Sequence, residues 1–147
     1  MRRLGLAAPL ILMLAGSSVA AEYPIFTANN LADNMKLLGR NFTAVNASLA
    51  KSDFEAAKAQ LTRSRELLAV TITFWKDRKK DDAIKILKDA VTGMDELDAA
   101  LSADKIDAAA SIAIAKRVGA ACQACHAVYR EQDPGTKAYK LRTGSVP

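Results

Sequence analysis

LADNMKLLGRNFTAVNASL, residues 31–49, decides the fold class. Leu31, Met35, Leu38, Phe42, Val45 and Leu49 follow one another at spacings of 4, 3, 4, 3 and 4, the period that lines one face of an α-helix. The stripe predicts a first helix from about Ala28 to Lys51. Beyond it, Ser52 with Glu55 three residues on is a capping-box pattern. Phe54, Ala57, Leu61, Leu68 and Trp75 then extend an apolar face along a second helix. KDRKK, residues 76–80, interrupts the pattern. A third helix from about Asp81 to Ser102 carries Ala83, Leu87, Ala90, Met94, Leu97 and Leu101 on its inward stripe. Asp104 is the candidate cap of a fourth, with Ile114, Val118, Ala121, Cys125 and Val128 inward and DPG, residues 133–135, as its stop.

Four such helices joined by short connections predict an all-α, antiparallel up-down four-helix bundle. An open helical array would need an internal repeat, and none is visible. The fourth helix places Ala109, Ala110, Ala113, Ala120, Ala121 and Ala124 on the expected inward side. Small residues there leave a void that something must fill, although alanine is also the best helix former.

The first residues read differently. Arg2 and Arg3, the apolar run Leu4 to Leu14 and the small residues GSSVAA have the form of a cleaved secretory signal, with cleavage after Ala20 or Ala21. The run is short of the roughly 20 apolar residues that span a bilayer. Residues 1–21 are therefore assigned to the signal, 22–135 to one helical domain and 136–147 to a basic C-terminal tail. The expectation is a periplasmic protein with no stable membrane insertion after cleavage. The whole chain has 21 Lys and Arg against 16 Asp and Glu, a formal charge of +5, and losing Arg2 and Arg3 brings it to +3. That mild excess is no nucleic-acid footprint. KDRKK reads as a solvated connection whose following Asp81 and Asp82 suit a helix N-terminus, with a docking patch for an acidic partner as the alternative.

CQACH, residues 122–126, holds both cysteines and the only histidine of the chain. On a helix the three side chains stand at i, i+3 and i+4 and share one face. There two thiols can add to the vinyl groups of a macrocycle while the imidazole reaches its iron. C-x-x-C-H is the attachment pattern of c-type haem. A structural zinc site wants four protein ligands, a thioredoxin-type pair expects a βα context, and a disulfide here would close a loop too short to constrain the unfolded chain. The expected cofactor is one haem c bound through Cys122 and Cys125, with His126 as an axial ligand. No second histidine exists, so the other axial position falls to Met35, Met94, a lysine or nothing. Met94 lies on a core stripe and reads as apolar filling.

With CxxCH near the end of the last helix, followed by Val128-Tyr129-Arg130, the chain resembles the class II c-type cytochromes, the cytochrome c-prime group. LADNMKLLGRNFTAVN, residues 31–46, is also similar to the first helix of the related soluble four-helix b-type cytochrome and of low-spin class II members. That resemblance covers about Leu31 to Arg130 and implies a four-helix bundle with Met35 as the second axial ligand. It further implies a soluble carrier of single electrons rather than an enzyme, exchanging them with redox partner proteins as a monomer or homodimer. The alternative it leaves open is a high-spin protein binding nitric oxide or carbon monoxide at an open distal site. Arg130 is a candidate partner for a haem propionate, a solvated surface arginine being the other reading. Phe42, Phe74, Trp75 and Tyr129 are candidates for contact with the ring, but core residues first. With two propionates the net charge would fall to about +1, too little for strong steering. The sequons at Asn41 and Asn46 fall inside the first predicted helix and read as coincidence.

Overall fold

The computed structural model describes residues 27–146, so the segment assigned to a secretory signal lies outside the described residues. The chain is mostly helical. In order come α1 (Ala28–Ala50), α2 (Phe54–Ala69), α3 (Ile72–Asp77), α4 (Asp81–Leu101) and α5 (Ala108–Tyr129). Two short strands follow, β1 (Arg130–Gln132) and β2 (Tyr139–Leu141), paired antiparallel with Arg130 opposite Leu141. The main packing contacts join α4 to α5, α1 to α2 and α2 to α4; α1 also touches α5 and β2. No helix among the described residues is long and apolar enough to cross a membrane.

The stripe that opens α1 is its inner side: Leu31, Leu38, Val45 and Leu49 are buried, and Met35 and Phe42 are packed against the core while remaining partly exposed. On α4 the whole predicted stripe, Ala83 through Leu101, is buried. Thr27 caps α1 by accepting from the Asn30 amide.

Several details depart from the sequence reading. Ser52 is not a cap: it takes φ 57° as the left-handed residue closing α1. Its amide bonds the Leu49 carbonyl at 3.0 Å and the Asp53 amide bonds that of Ser48 at 2.9 Å, the pair of bonds that satisfies orphan carbonyls at a helix end. Asp53 is the cap of α2, accepting from the Ala56 amide at 3.1 Å. KDRKK repeats the motif. Lys79 is left-handed at φ 54°, and the Lys79 and Lys80 amides bond the carbonyls of Lys76 and Trp75. The second helix does not reach Trp75 unbroken. Val70, Thr71, Ile72 and Thr73 are consecutive β-branched residues, which crowd a helix, and Thr71 turns its hydroxyl onto the Leu68 carbonyl at 2.7 Å. Asp107, not Asp104, caps the last long helix, accepting from the Ala110 amide at 3.0 Å.

The last long helix meets its predicted face in part: Val118 is buried, and Ile114, Ala121 and Cys125 are packed against the core. Ser111, Ala115 and Tyr129 are buried as well, whereas Val128 is 44 % exposed. Of the six alanines expected to face inward, Ala109, Ala110, Ala113, Ala120 and Ala124 are exposed and only Ala121 is partly buried. The helix stops at Tyr129, before DPG, because the chain turns into β1. Asp133 then builds the hairpin turn, its carboxylate accepting from the amides of Gly135 and Thr136. Residues of the basic tail pack back: the Arg142 amide donates to the Tyr129 carbonyl at 2.8 Å, and its guanidinium to that of Ala127 at 2.8 Å, which caps the C-terminus of α5.

Candidate functional site

The last two turns of α5 carry Cys122, Cys125 and His126, and all three border a cavity of about 600 Å³, within the usual size range for a small-molecule or cofactor pocket. Met35 reaches the same cavity from α1, beside Phe42. Leu68, Thr71 and Trp75 form a second side, Ile86, Leu87 and Ala90 of α4 a third, and the β2 residues Tyr139, Lys140 and Leu141 border it from the hairpin. The proposed anchors, the histidine and the methionine, far apart in the chain, thus converge on one largely apolar space.

Both cysteines are free and partly buried. Burial raises their pKa, that of Cys125 to about 11 with the charges of Cys122 and Asp82 adding to the effect, so both stay protonated thiols near neutrality. His126 is pushed the other way: burial, and then the positive charge of Arg130, lower its pKa and favour the neutral imidazole. Its Nδ1 is buried without a hydrogen-bond partner, an arrangement that ordinarily costs stability. Among the described residues, no group of three or more His, Cys, Asp and Glu side chains is placed to hold a metal ion. A shared helix face is therefore not a zinc-type cluster here.

Charge around the cavity has one sign. Lys36, Arg130 and Lys140 border it and, among the described residues, no carboxylate does. Lys36 is paired with Asp33 at 2.8 Å and Lys140 with Glu131 and Asp133 at 3.5 and 3.6 Å. Arg130 lies 4.2 Å over the Tyr139 ring, with no carboxylate within ion-pair distance among the described residues. Of the aromatic candidates, Phe42, Trp75 and Tyr129 border the cavity; Phe74 is fully buried and stands behind Trp75, edge-on at 5.0 Å.

Two supports escaped the sequence reading. Asn34 is buried, and its amide donates to the Leu67 carbonyl at 2.6 Å. That carbonyl is released because the Thr71 amide bonds Leu68 instead, at 3.1 Å. The break after α2 and the polar residue next to Met35 thus complete each other and fix α1 beside the cavity. Tyr129, its ring tilted 57° to that of Trp75 at 4.7 Å, donates its hydroxyl to the Asp82 carboxylate at 2.7 Å. Burial first, and then that bond, raise the tyrosine's pKa, while the same bond is the main cause holding Asp82 below the usual carboxylate range. A polar residue one step from an apolar stripe was the available signal for Asn34; nothing in the spacing pointed to Asp82 as a partner of Tyr129.

No family model matches the chain, and no curated protein or solved structure is significantly similar to it.

Proposed function

We propose that the chain is an exported, periplasmic monohaem cytochrome that carries single electrons, with α1, α2, α4 and α5 forming an antiparallel up-down four-helix bundle around one haem c. One observation carries this reading: two free thiols, an imidazole and a thioether all border one apolar cavity of about 600 Å³. The residues fit the group. Cys122 and Cys125 would anchor it as each Sγ–H adds across a vinyl double bond, its hydrogen passing to the neighbouring carbon, so that neither oxidant nor reductant is consumed. When bound, the haem supplies an iron centre that takes up and releases one electron.

The chain's own residues set the conditions for that exchange. Burial keeps the thiols protonated and His126 neutral, the form in which an imidazole can donate its lone pair. Met35 offers sulfur from α1, and a His and Met pair raises the potential of the iron relative to harder ligand sets. Apolar walls from α1, α4 and α5 exclude water, and Arg130, without a carboxylate partner, is free to meet a propionate. His126 and Met35 would hold the iron between them, an arrangement suited to exchanging electrons with redox proteins, met by a monomer or homodimer.

An optical spectrum of the purified exported protein, oxidised and reduced, with and without carbon monoxide, tests the reading. Sharp low-spin bands, the far-red band of methionine sulfur on ferric haem and no response to carbon monoxide are expected. A high-spin spectrum that shifts at once with the gas would make the protein a nitric oxide or carbon monoxide binder. A colourless product would remove haem altogether.

A further inference from the structure

Glycine inside a helix weakens it relative to alanine, and three glycines stand in helix interiors here. Gly93 on α4 is explained by protein packing: a Cβ added there would come 2.8 Å from Val118 Cγ2 of α5. Gly39 and Gly119 have no such reason, for a Cβ on either meets nothing within 4 Å. Yet both border the cavity. Gly39 lies four residues after Met35, one turn along the same side of α1. Gly119 lies three before Cys122 and seven before His126, on the side of α5 that carries them. Each proposed ligand-bearing face therefore continues into a residue stripped of its side chain, where no protein atom claims the space.

We infer that Gly39 and Gly119 are specificity-determining residues for the cavity's occupant, kept bare so that a broad, rigid macrocycle can lie close to the backbone of α1 and α5. The inference deepens the haem reading and rests on it. Independent of the glycines, the apolar cavity itself, bordered by Cys122, Cys125, His126 and Met35, has room for an occupant. Gly39 borders the cavity while being exposed itself, so it stands where the cavity meets solvent. A side chain there would narrow the opening without filling any gap between protein atoms.

The test uses the full chain in two forms, haem-free from expression without the attachment machinery and holoprotein from export. Gly39→Ala, Gly119→Ala, Gly39→Leu and Gly119→Leu are compared with Gly93→Ala. In the haem-free form the two cavity alanines should raise the folding equilibrium constant about fivefold each, whereas Gly93→Ala should lower it. In the exported form the leucine variants should lose covalent haem per chain by roughly tenfold, the size of a moderate overpacking penalty, or turn low-spin bands into mixed-spin ones. Circular dichroism checks that they remain helical, and the alanine variants keep the test decisive if they do not. Leucine variants that load and absorb like the parent, or cavity alanines that destabilise the haem-free chain, overturn the inference alone. A parent that carries no haem overturns the haem reading and this inference together.

Discussion

Around Met94, on α4, protein accounts for every buried group. The methionine is fully buried, its neighbour Gly93 is bare because Val118 presses on it, and the buried hydroxyls of Ser64 and Ser111 bond the carbonyls of Gln60 and Asp107 at 2.8 Å each. Around Met35, on α1, the accounting fails at several places at once. A histidine nitrogen is buried without a partner, two thiols are free, two glycines face empty space and a cavity of about 600 Å³ separates the helices. Unsatisfied groups scattered through a chain would mean a poor fold. Here they gather around one cavity, which sets the region of Met35 apart from that of Met94.

Replacing the two methionines should break this comparison most sharply. Met94→Ala removes a fully buried side chain and is expected to cost about 2–5 kcal/mol. Met35 is only partly buried, between the core and the cavity, so in Met35→Ala haem-free protein should lose less. The holoprotein, in contrast, should keep its haem but turn high-spin and respond to carbon monoxide. Urea titration of the haem-free forms and optical spectra of the loaded ones read both effects. Equal losses of stability would show that the two regions are packed alike, and an unchanged low-spin spectrum in Met35→Ala would end the assignment of that residue.

Asn34→Ala comes next. It leaves the Leu67 carbonyl without the amide that reaches it at 2.6 Å, and an orphaned buried acceptor costs about 1–3 kcal/mol. Because Asn34 precedes Met35 directly, the loaded variant should also show a weaker low-spin spectrum. Full stability with a changed spectrum would mean that the amide aims Met35 without holding the helices together.

The helices were legible because their stripes repeat. A residue-by-residue burial match along α4, from Ala83 to Leu101, follows from the 3.6-residue period alone. On α5 the same reasoning held only in part: Val118 is buried and Ile114, Ala121 and Cys125 pack against the core, but alanine at most positions gives little contrast between faces, and the buried Ser111, Ala115 and Tyr129 lie off the predicted stripe. The break at KDRKK and the start of the next helix at Asp81 were read correctly, whereas Ser52 was read as a cap because a non-glycine in a left-handed turn leaves no signature. CQACH singled out three residues that the structure brings, with Met35, to one cavity. Asn34 with Leu67, and Tyr129 with Asp82, span 33 and 47 positions, and no local pattern records such pairs.

Ser52→Gly separates a chain-end effect from the site. With φ 57°, Ser52 holds a conformation that favours glycine, and relieving it should stabilise the protein by about 0.5–1 kcal/mol, net of glycine's greater freedom in the unfolded chain. Both the haem-free and loaded forms should gain alike and spectra should not move. A gain confined to one form would tie the α1–α2 turn to the cavity, which nothing in its hydrogen bonds suggests.

The effect of Tyr129→Phe shows in the slopes of stability against pH. Asp82 is held below its ordinary range chiefly by the tyrosine hydroxyl, so the folded chain binds fewer protons there than the unfolded one. Its stabilising contribution is complete above the unfolded value near 3.9 and is lost as pH falls through the folded one. Tyr129 is the mirror case, for its raised pKa gives stability that is complete below the unfolded value near 10 and lost as pH rises through the folded one. His126, lowered by burial and Arg130, contributes an earlier acid loss beginning below about 6.5, which parent and variant share in the haem-free form. Phenylalanine should therefore flatten the decline in urea midpoint below about pH 4 and above about pH 10, leaving the step near 6.5 in place. Identical curves for the two proteins would mean that the hydroxyl of Tyr129 and the Asp82 carboxylate are not coupled, and that the aromatic wall of the cavity rests on its packing against Trp75 alone.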